Sequence, residues 1–118
     1  MSVEAIIFSS LRSLVSDRVF PDVAPEGAMR PYITYQQVGG EAVNFVESTA
    51  PNKANGRFQL NVWADSRMQA SATARQVETA LRGVTALQTE VLGSPFSDYE
   101  PDTKLYGTVQ DFEFWYDA

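Results

Sequence analysis

The chain has 118 residues and a formal net charge of −6, from nine Lys plus Arg against fifteen Asp plus Glu. Its length fits one domain over residues 1–118, and 44% apolar with 12% aromatic residues are too many for a disordered chain. The chain contains no Cys, which excludes disulfides and thiolate sites. It contains no His, which excludes the commonest general base and the commonest transition-metal ligand.

The net charge is unevenly distributed along the chain. Residues 1–83 contain eight acids and eight bases, whereas residues 84–118 contain seven acids and only Lys104 as a base. An acidic balance argues against tight binding to a phosphate backbone. Neither a membrane-spanning apolar run nor a signal peptide is visible, so a cytoplasmic location is expected.

The first third predicts a helix, a short strand and a loop. Apolar residues across Val3–Leu14 recur at helical spacing, Ser2 is a candidate N-cap, and the helix is expected to end at Asp17. A short strand is predicted at residues 19–20. Residues 21–31 contain three prolines and a glycine, which is typical of a loop.

The middle of the chain predicts three strands. Tyr32–Val38 is rich in β-formers and ends at two glycines, and Val43–Ser48 is a second candidate. Arg57–Asp65 alternates apolar and polar residues with a period of two. Because Pro51–Gly56 has turn composition, we expect a hairpin between the second and third strands with a long protruding tip.

A second helix is predicted directly after these strands. Ser66 and Gln69 form a capping box at its start, and Gly83 is a natural residue beyond its end. Three arginines, which we interpret as a solvated face, decorate its polar side: Arg67, Arg75 and Arg82.

The acidic last third predicts two strands around a loop. Val84–Leu92 is the first strand, Gly93–Asp102 is an acidic loop with two prolines, and Lys104–Tyr116 is a long final strand. The apolar pattern of the final strand changes phase, which predicts a β-bulge near Gln110 and Asp111. The whole order, α-β-β-β-β-α-β-β, predicts an α+β fold: a mostly antiparallel sheet with two helices packed on one face.

Residues suited to catalysis are scarce. Asp98, Glu100 and Asp102 could ligate a hard cation, but the EF-hand pattern fails at Thr103 and Val109. A serine triad cannot form without His, and neither lysine available for a Ser–Lys pair is placed for burial. Asp111 and Glu113 flank aromatic residues but are equally explained as edge-strand charges. We therefore predict no enzyme activity, cofactor or metal.

Three strands offer a polar, nearly uncharged and partly aromatic face. Interfaces are enriched in aromatic residues and depleted of charges, although the ordinary solvated side of an antiparallel sheet is an alternative. The expected members are Tyr32, Thr34 and Gln36, then Gln59, Asn61 and Trp63, then Tyr106, Thr108 and Gln110.

Three stretches together resemble a known family. They are Arg18–Pro21 with Arg30–Gln36, then Arg57–Ala64 running into the Ala-rich helix, then Asp98–Tyr106 with Asp111–Trp115. Their order and spacing resemble the tail-completion proteins of long-tailed phages and prophages, also called tail terminator or head-to-tail joining proteins. The resemblance spans nearly the whole chain and departs at Gly107, where a larger polar or basic residue is common.

The resemblance implies a structural protein without catalysis. Such proteins form a ring, usually a hexamer, at the head-proximal end of the tail tube. The expected partners are further copies of the chain, the tail tube protein and the head connector or neck protein, with DNA passing through unbound and no membrane involved. The expected location is the host cytoplasm during assembly and the virion tail thereafter.

The residues of this chain supply the candidate contacts. Interface candidates are Arg57, Gln59, Asn61 and Trp63 on the strand face, Lys53 and Asn55 at the hairpin tip, and Arg30 in the first loop. We expect Asp98, Glu100 and Asp102 to line the ring's lumen, where carboxylates repel the phosphates of passing DNA. The alternative function is a small ligand-binding or dimerising α+β module without catalysis.

Overall fold

A six-stranded sheet with helices on one face organises the part of the chain that the structure describes. The computed structural model describes residues 2–44 and 52–118. Its elements are α1 (Val3–Leu11), β1 (Val19–Pro21), β2 (Tyr32–Gly39), β3 (Lys53–Ala64), α2 (Arg67–Arg82), β4 (Glu90–Val91), β5 (Phe96–Glu100) and β6 (Leu105–Asp117). The predicted α+β class and order of elements are confirmed.

The sheet is antiparallel except for its first pair. Its strand order is β1-β2-β3-β6-β4, and β5 pairs with β6 as well. β1 runs parallel to β2, and every other pair is antiparallel. The two longest strands, β3 and β6, are therefore central, and shorter strands flank them.

Both helices begin where the capping residues predict. The Ser2 hydroxyl accepts from the backbone N–H of Ala5 at 3.1 Å, and the Ser66 hydroxyl accepts from that of Gln69 at 3.1 Å. α1 passes into a 3₁₀ turn at Arg12–Leu14, so the predicted helical region is confirmed with a tighter final turn. Gly83 follows α2 directly as its C-cap.

The core lies between the helices and one face of the sheet. The apolar residues of β3 face both helices because the strand alternates with a period of two. The Phe58 and Phe114 rings lie 5.6 Å apart at the centre. The largest fully buried side chains are Phe58, Phe112, Phe114, Ile7, Leu11, Ile33, Leu60, Leu81 and Leu87.

The predicted hairpin tip is wrong. Lys53–Gly56 is not a turn but the start of β3, which pairs with β6 from Lys53 opposite Asp117 onward. Ladder pairing with a strand far along the chain overrides the local turn composition. Of the predicted strand Val43–Ser48, residues 43–44 have no strand structure and residues 45–48 lie outside the described residues, as does Pro51. The hairpin partner of β3 is β2.

The region before the final strand also differs from the prediction. Val84–Leu92 contains a 3₁₀ turn at Thr85–Leu87 and only the two-residue β4. The Thr89 hydroxyl donates to the Leu81 carbonyl at 2.7 Å, and this hydrogen bond holds the segment against the end of α2. The predicted acidic loop contains β5 instead. Its pairing partner is β6, a tertiary contact that local composition does not reveal.

The predicted β-bulge in the final strand is absent. The β3–β6 ladder keeps one register from Lys53–Asp117 to Ala64–Tyr106. The phase change instead reflects burial on both sides of β6, since Leu105 and Val109 are only 5% and 8% exposed on the side away from the helices. Tyr106, Thr108 and Gln110 consequently lie on the helix side, and their predicted place on the polar face is wrong.

The central strands extend beyond their neighbours. β2 pairs with β3 only as far as Arg57, and β4 pairs with β6 only as far as Glu113. Beyond these residues, Lys53–Gly56 and Phe114–Asp117 pair with each other alone among the described strands and form a two-stranded ribbon. The protein measures 52 × 25 × 23 Å, and its radius of gyration of 15.1 Å exceeds the roughly 13.5 Å expected of a compact chain this long.

Candidate functional site

The sheet side away from the helices forms what we call the open face. Its residues align in cross-strand rows, because antiparallel register places alternate residues of adjacent strands side by side. The three central rows are Tyr32–Trp63–Gly107, Thr34–Asn61–Val109 and Gln36–Gln59–Asp111. The predicted face is thus confirmed for β2 and β3, and β6 contributes Gly107, Val109 and Asp111 to it.

The indole ring of Trp63 packs directly against Gly107. A Cβ atom at Gly107 would lie 2.6 Å from Cζ3 and 2.7 Å from Cε3 of the indole. The two residues face each other across the β3–β6 ladder. Glycine at this position therefore lets the indole lie close to the neighbouring backbone.

Two buried acceptors on the open face have no hydrogen-bond partner among the described residues. They are Oδ1 of Asn61 and Oδ1 of Asp111, in adjacent rows. A buried acceptor without a donor costs roughly 1–3 kcal/mol, and such atoms are uncommon in native proteins. Both oxygens are inaccessible from the surface, so they mark two polar side chains packed into the interior of this side of the sheet.

A pocket of about 280 Å³ opens at the Trp63 end of this face. Tyr32, Asn61 and Trp63 belong to its lining, together with the exposed Asp22 and the half-buried Glu100. Burial raises the pKa of the Tyr32 phenol, which Arg30 partly offsets, so the phenol stays neutral at physiological pH. The lining thus combines two acidic residues with two aromatic ones and includes neither Lys nor Arg.

Most predicted interface residues lie along one stripe of β3. Arg57, Gln59, Asn61 and Trp63 point to the open face, and Lys53 and Asn55 continue the same alternation into the ribbon. Arg30 lies beyond the Trp63 end, where its Nε contacts Oδ1 of Asp65 at 3.0 Å. The structure thus brings six of the seven candidates into one line.

Asn55 has a structural position within that stripe. It is buried, and its amide donates to Oε1 of Glu113 at 2.8 Å and to the Phe114 carbonyl at 3.2 Å. Its Oδ1 accepts from the backbone N–H of Glu41 at 2.7 Å. Asn55 therefore holds the ribbon to the segment after β2 and does not lie at a tip. Lys53 forms an ion pair with Asp117 at 2.9 Å.

The three acidic candidates gather at one end of the β5–β6 hairpin. Asp98 and Glu100 lie on the open-face side of β5, opposite Gly107 and Leu105, and Asp102 lies in the following turn. Asp98 and Asp102 are exposed, whereas Glu100 is half-buried and its Oε1 accepts from the backbone N–H of Asp102 at 3.0 Å. Glu100 thus belongs to the pocket rim as much as to the exterior.

Sequence reasoning missed two residues of functional interest. Asp22 lines the pocket from the loop after β1, where the composition of residues 21–31 predicted a loop but no site. Arg67 was interpreted as part of a solvated face, yet it is half-buried and donates to the Gly107 and Asp98 carbonyls, both at 2.7 Å, whereas Arg75 and Arg82 are exposed as that interpretation expects. Both depend on contacts between elements that are distant along the chain.

The described residues contain neither a metal cluster nor a spanning helix. Across residues 2–44 and 52–118, no three His, Cys, Asp or Glu side chains converge in an arrangement that would hold a metal ion. Within those same segments, every helix is too short or too polar to cross a bilayer.

The fold and its surfaces define an α+β protein with one helix-covered sheet face and one open, contact-forming face. The family described as Tail completion protein gp17 matches residues 8–117, and the chain belongs to this family. The protein is accordingly a structural component of a phage-type virion tail.

A solved structure shares the fold. A chain of the virion of a native gene transfer agent (GTA) particle superposes with a TM-score of 0.61 at 17% identity, covering 99% of this chain and 96% of that one. A comparison with curated proteins finds no match.

Proposed function

We propose that the protein assembles into a homo-hexameric ring on the head-proximal end of the tail tube. The ring ends tube growth and presents a docking surface to the head connector, without catalysis or a cofactor. Membership of the tail-completion family supports this role. The observation on the molecule that carries it is the open face, a polar and partly aromatic strand surface on the side of the sheet away from the described helices.

A ring requires each subunit to contact its neighbours through two different surfaces. A head-to-tail contact closes when its rotation divides the circle, and it pairs one patch with a dissimilar one. The helix layer and the open face are two such surfaces, on opposite sides of one sheet. Their chemistry differs because one is helical and the other is a polar, aromatic strand surface.

Contacts along the tail axis would use the projecting parts of the chain. The β3–β6 ribbon extends beyond the neighbouring strands, and the loop of residues 22–30 exposes Met29. Apolar side chains on a projecting loop are suited to burial against another protein. We assign these two parts to the tube protein and the connector.

Passing DNA would meet the acidic end of the β5–β6 hairpin. Asp98 and Asp102 are exposed there, and carboxylates that face a lumen repel phosphates. We therefore propose these two residues as lumen residues and leave Glu100 to the pocket rim. Electron microscopy of the assembled ring tests this directly, since both side chains on the outer wall would end the proposal.

The decisive measurement is the mass of the protein by light scattering over a concentration series, with and without tube protein. We expect about 79 kDa, six copies of a 13.1 kDa chain, alone or once tube protein is present. A wild-type monomer under both conditions would contradict the proposal, and a tight dimer at all concentrations would favour the dimerising module instead.

A pair of glutamine variants locates the contact. Gln36 is exposed on the open face and Gln88 is exposed in the turn after α2. We expect Gln36→Arg to prevent the sixfold mass and Gln88→Arg to preserve it. Hexamers of normal stability from Gln36→Arg would exclude the open face as the contact.

A further inference from the structure

Two surfaces on opposite sides of the sheet have complementary chemistry. The first, called the acidic pocket, is the open-face pocket whose lining includes Asp22, Asn61, Trp63 and Glu100. The second, called the helix groove, has a volume of about 530 Å³ and is lined by Leu14, Ala72, Arg75, Gln76, Thr79 and Ala80.

The acidic pocket is suited to a guanidinium group. Its lining includes two acidic residues, Asp22 and Glu100, and two aromatic residues, Tyr32 and Trp63. A guanidinium brings five N–H donors in a fixed plane and binds favourably over the face of an indole. Neither Lys nor Arg lines the pocket, although Arg30 lies close enough to affect the pKa of Tyr32, so a guanidinium from another molecule would add a positive charge that the lining lacks.

Most basic residues of the chain are already engaged. Arg12, Arg30, Lys53 and Arg82 form ion pairs, and Arg18 and Arg67 donate to backbone carbonyls. Arg57, Arg75 and Lys104 have no carboxylate or carbonyl partner among the described residues.

The positions of these three residues single out one of them. Arg57 lies on the open face itself, and Lys104 stands between Thr103 and Leu105 of the pocket lining. Arg75 alone lies on the helix side, and it is exposed in a groove with apolar walls. A head-to-tail contact joins dissimilar surfaces, so the cation for the acidic pocket should come from the opposite side of the subunit.

An apolar contact accompanies the ionic one. Val23 lines the acidic pocket and is 80% exposed, while Leu14, Ala72 and Ala80 give the helix groove an apolar, small-residue surface. We propose that Arg75 of one copy enters the acidic pocket of the next copy, where Val23 packs into the helix groove. This contact rests on the proposed ring and specifies how its neighbouring subunits join.

Matched arginine variants on α2 test the contact. Arg75 and Arg82 are both exposed on the same helix, but only Arg75 lies in the groove. Truncating one member of a buried interfacial charge pair leaves the other member unpaired, so we expect Arg75→Ala to weaken assembly at least about tenfold. Arg82→Ala should stay within about threefold of wild type. Equal effects of the two variants would overturn the proposed Arg75 contact without contradicting the proposed ring.

A charge exchange provides the stricter test. Arg75→Glu and Glu100→Arg should each prevent assembly, whereas the double variant restores an opposite-charge pair at every subunit contact and should recover the ring. Circular dichroism of each variant monitors folding. A double variant that assembles no better than either single variant would overturn the inference.

The pocket itself is tested without the ring. Titration with argininamide should shift the indole N–H resonance of Trp63 in the wild-type chain, and neutral citrullinamide should not. A shift with both probes or with neither contradicts the proposed pocket chemistry. If the pocket responds but the wild-type chain forms no ring, the proposed function fails and the failure is distinguishable from that of the pocket.

Discussion

Replacing Gly107 with alanine places a methyl group into the Trp63 indole. The new Cβ would lie 2.6 Å from Cζ3, whereas ordinary contacts are 3.4–4 Å. The ring must therefore withdraw by about 1 Å, and forced repacking of this kind costs about 1–3 kcal/mol. Alanine recovers about 0.5–1 kcal/mol of backbone entropy in a strand. The difference between the middle values of these two ranges predicts that Gly107→Ala lowers the free energy of unfolding by roughly 1 kcal/mol.

Urea unfolding in two backgrounds separates these effects. In wild type the variant should unfold at lower urea, with a shift in the Trp63 emission that reports the displaced ring. In a Trp63→Ala background the clash is gone, so the same substitution should stabilise by about 0.5–1 kcal/mol. Gly93→Ala is the matched control, because nothing lies within 4 Å of its Cβ position. An equal loss of stability in both backgrounds, or no loss in the wild-type background, would refute the close packing of Trp63 against Gly107.

Two further substitutions test the other side of β6 and the ribbon. Gln110→Met removes donors to Oε1 of Glu78 and to the Gly93 carbonyl, both at 2.8 Å, and should cost about 1–3 kcal/mol in urea unfolding. The Gln110 hydrogen bond is the main cause that lowers the pKa of Glu78, so NMR titration should find that pKa raised in the variant. In the wild type, the lowered pKa of Glu78 stabilises the fold above the usual glutamate pKa of about 4.3, and this stabilisation is lost as the pH falls further. The difference in stability between wild type and Gln110→Met should therefore become smaller in acid. Lys53→Met removes the ion pair with Asp117, whose side chains are 43% and 88% exposed, and should leave the urea midpoint nearly unchanged, since exposed ion pairs contribute little; a large shift would mean that this pair anchors the ribbon.

Local sequence patterns predicted the helices and the central strand well. The caps at Ser2 and Ser66 satisfy backbone N–H groups within a few residues, so the information is local. The alternation of Arg57–Asp65 likewise identified its buried side correctly. The same local rules failed at Lys53–Gly56, where turn residues join a strand because a distant partner satisfies their backbone.

The site was predicted in part for the same reason. Gln59, Asn61 and Trp63 follow from alternation alone, because one face of β3 had to be polar. The β6 contribution was placed on the wrong side, since Leu105 and Val109 look like core residues but are buried on the open face. The acidic pocket could not be predicted, because Asp22 and Glu100 come from opposite ends of the sheet.

The sequence by itself determined the α+β class, both helix starts, the absence of Cys and His chemistry and the concentration of net charge after Gly83. Each of these depends on neighbouring residues or on composition. Only the tertiary structure decided the continuous β3–β6 ladder, the close packing of Trp63 against Gly107 and the pocket that separates Glu100 from its exposed neighbours Asp98 and Asp102. Strand pairing and burial on a second face join residues about 40 or more positions apart, and no local pattern records which distant residue will satisfy a backbone group or cover a side chain.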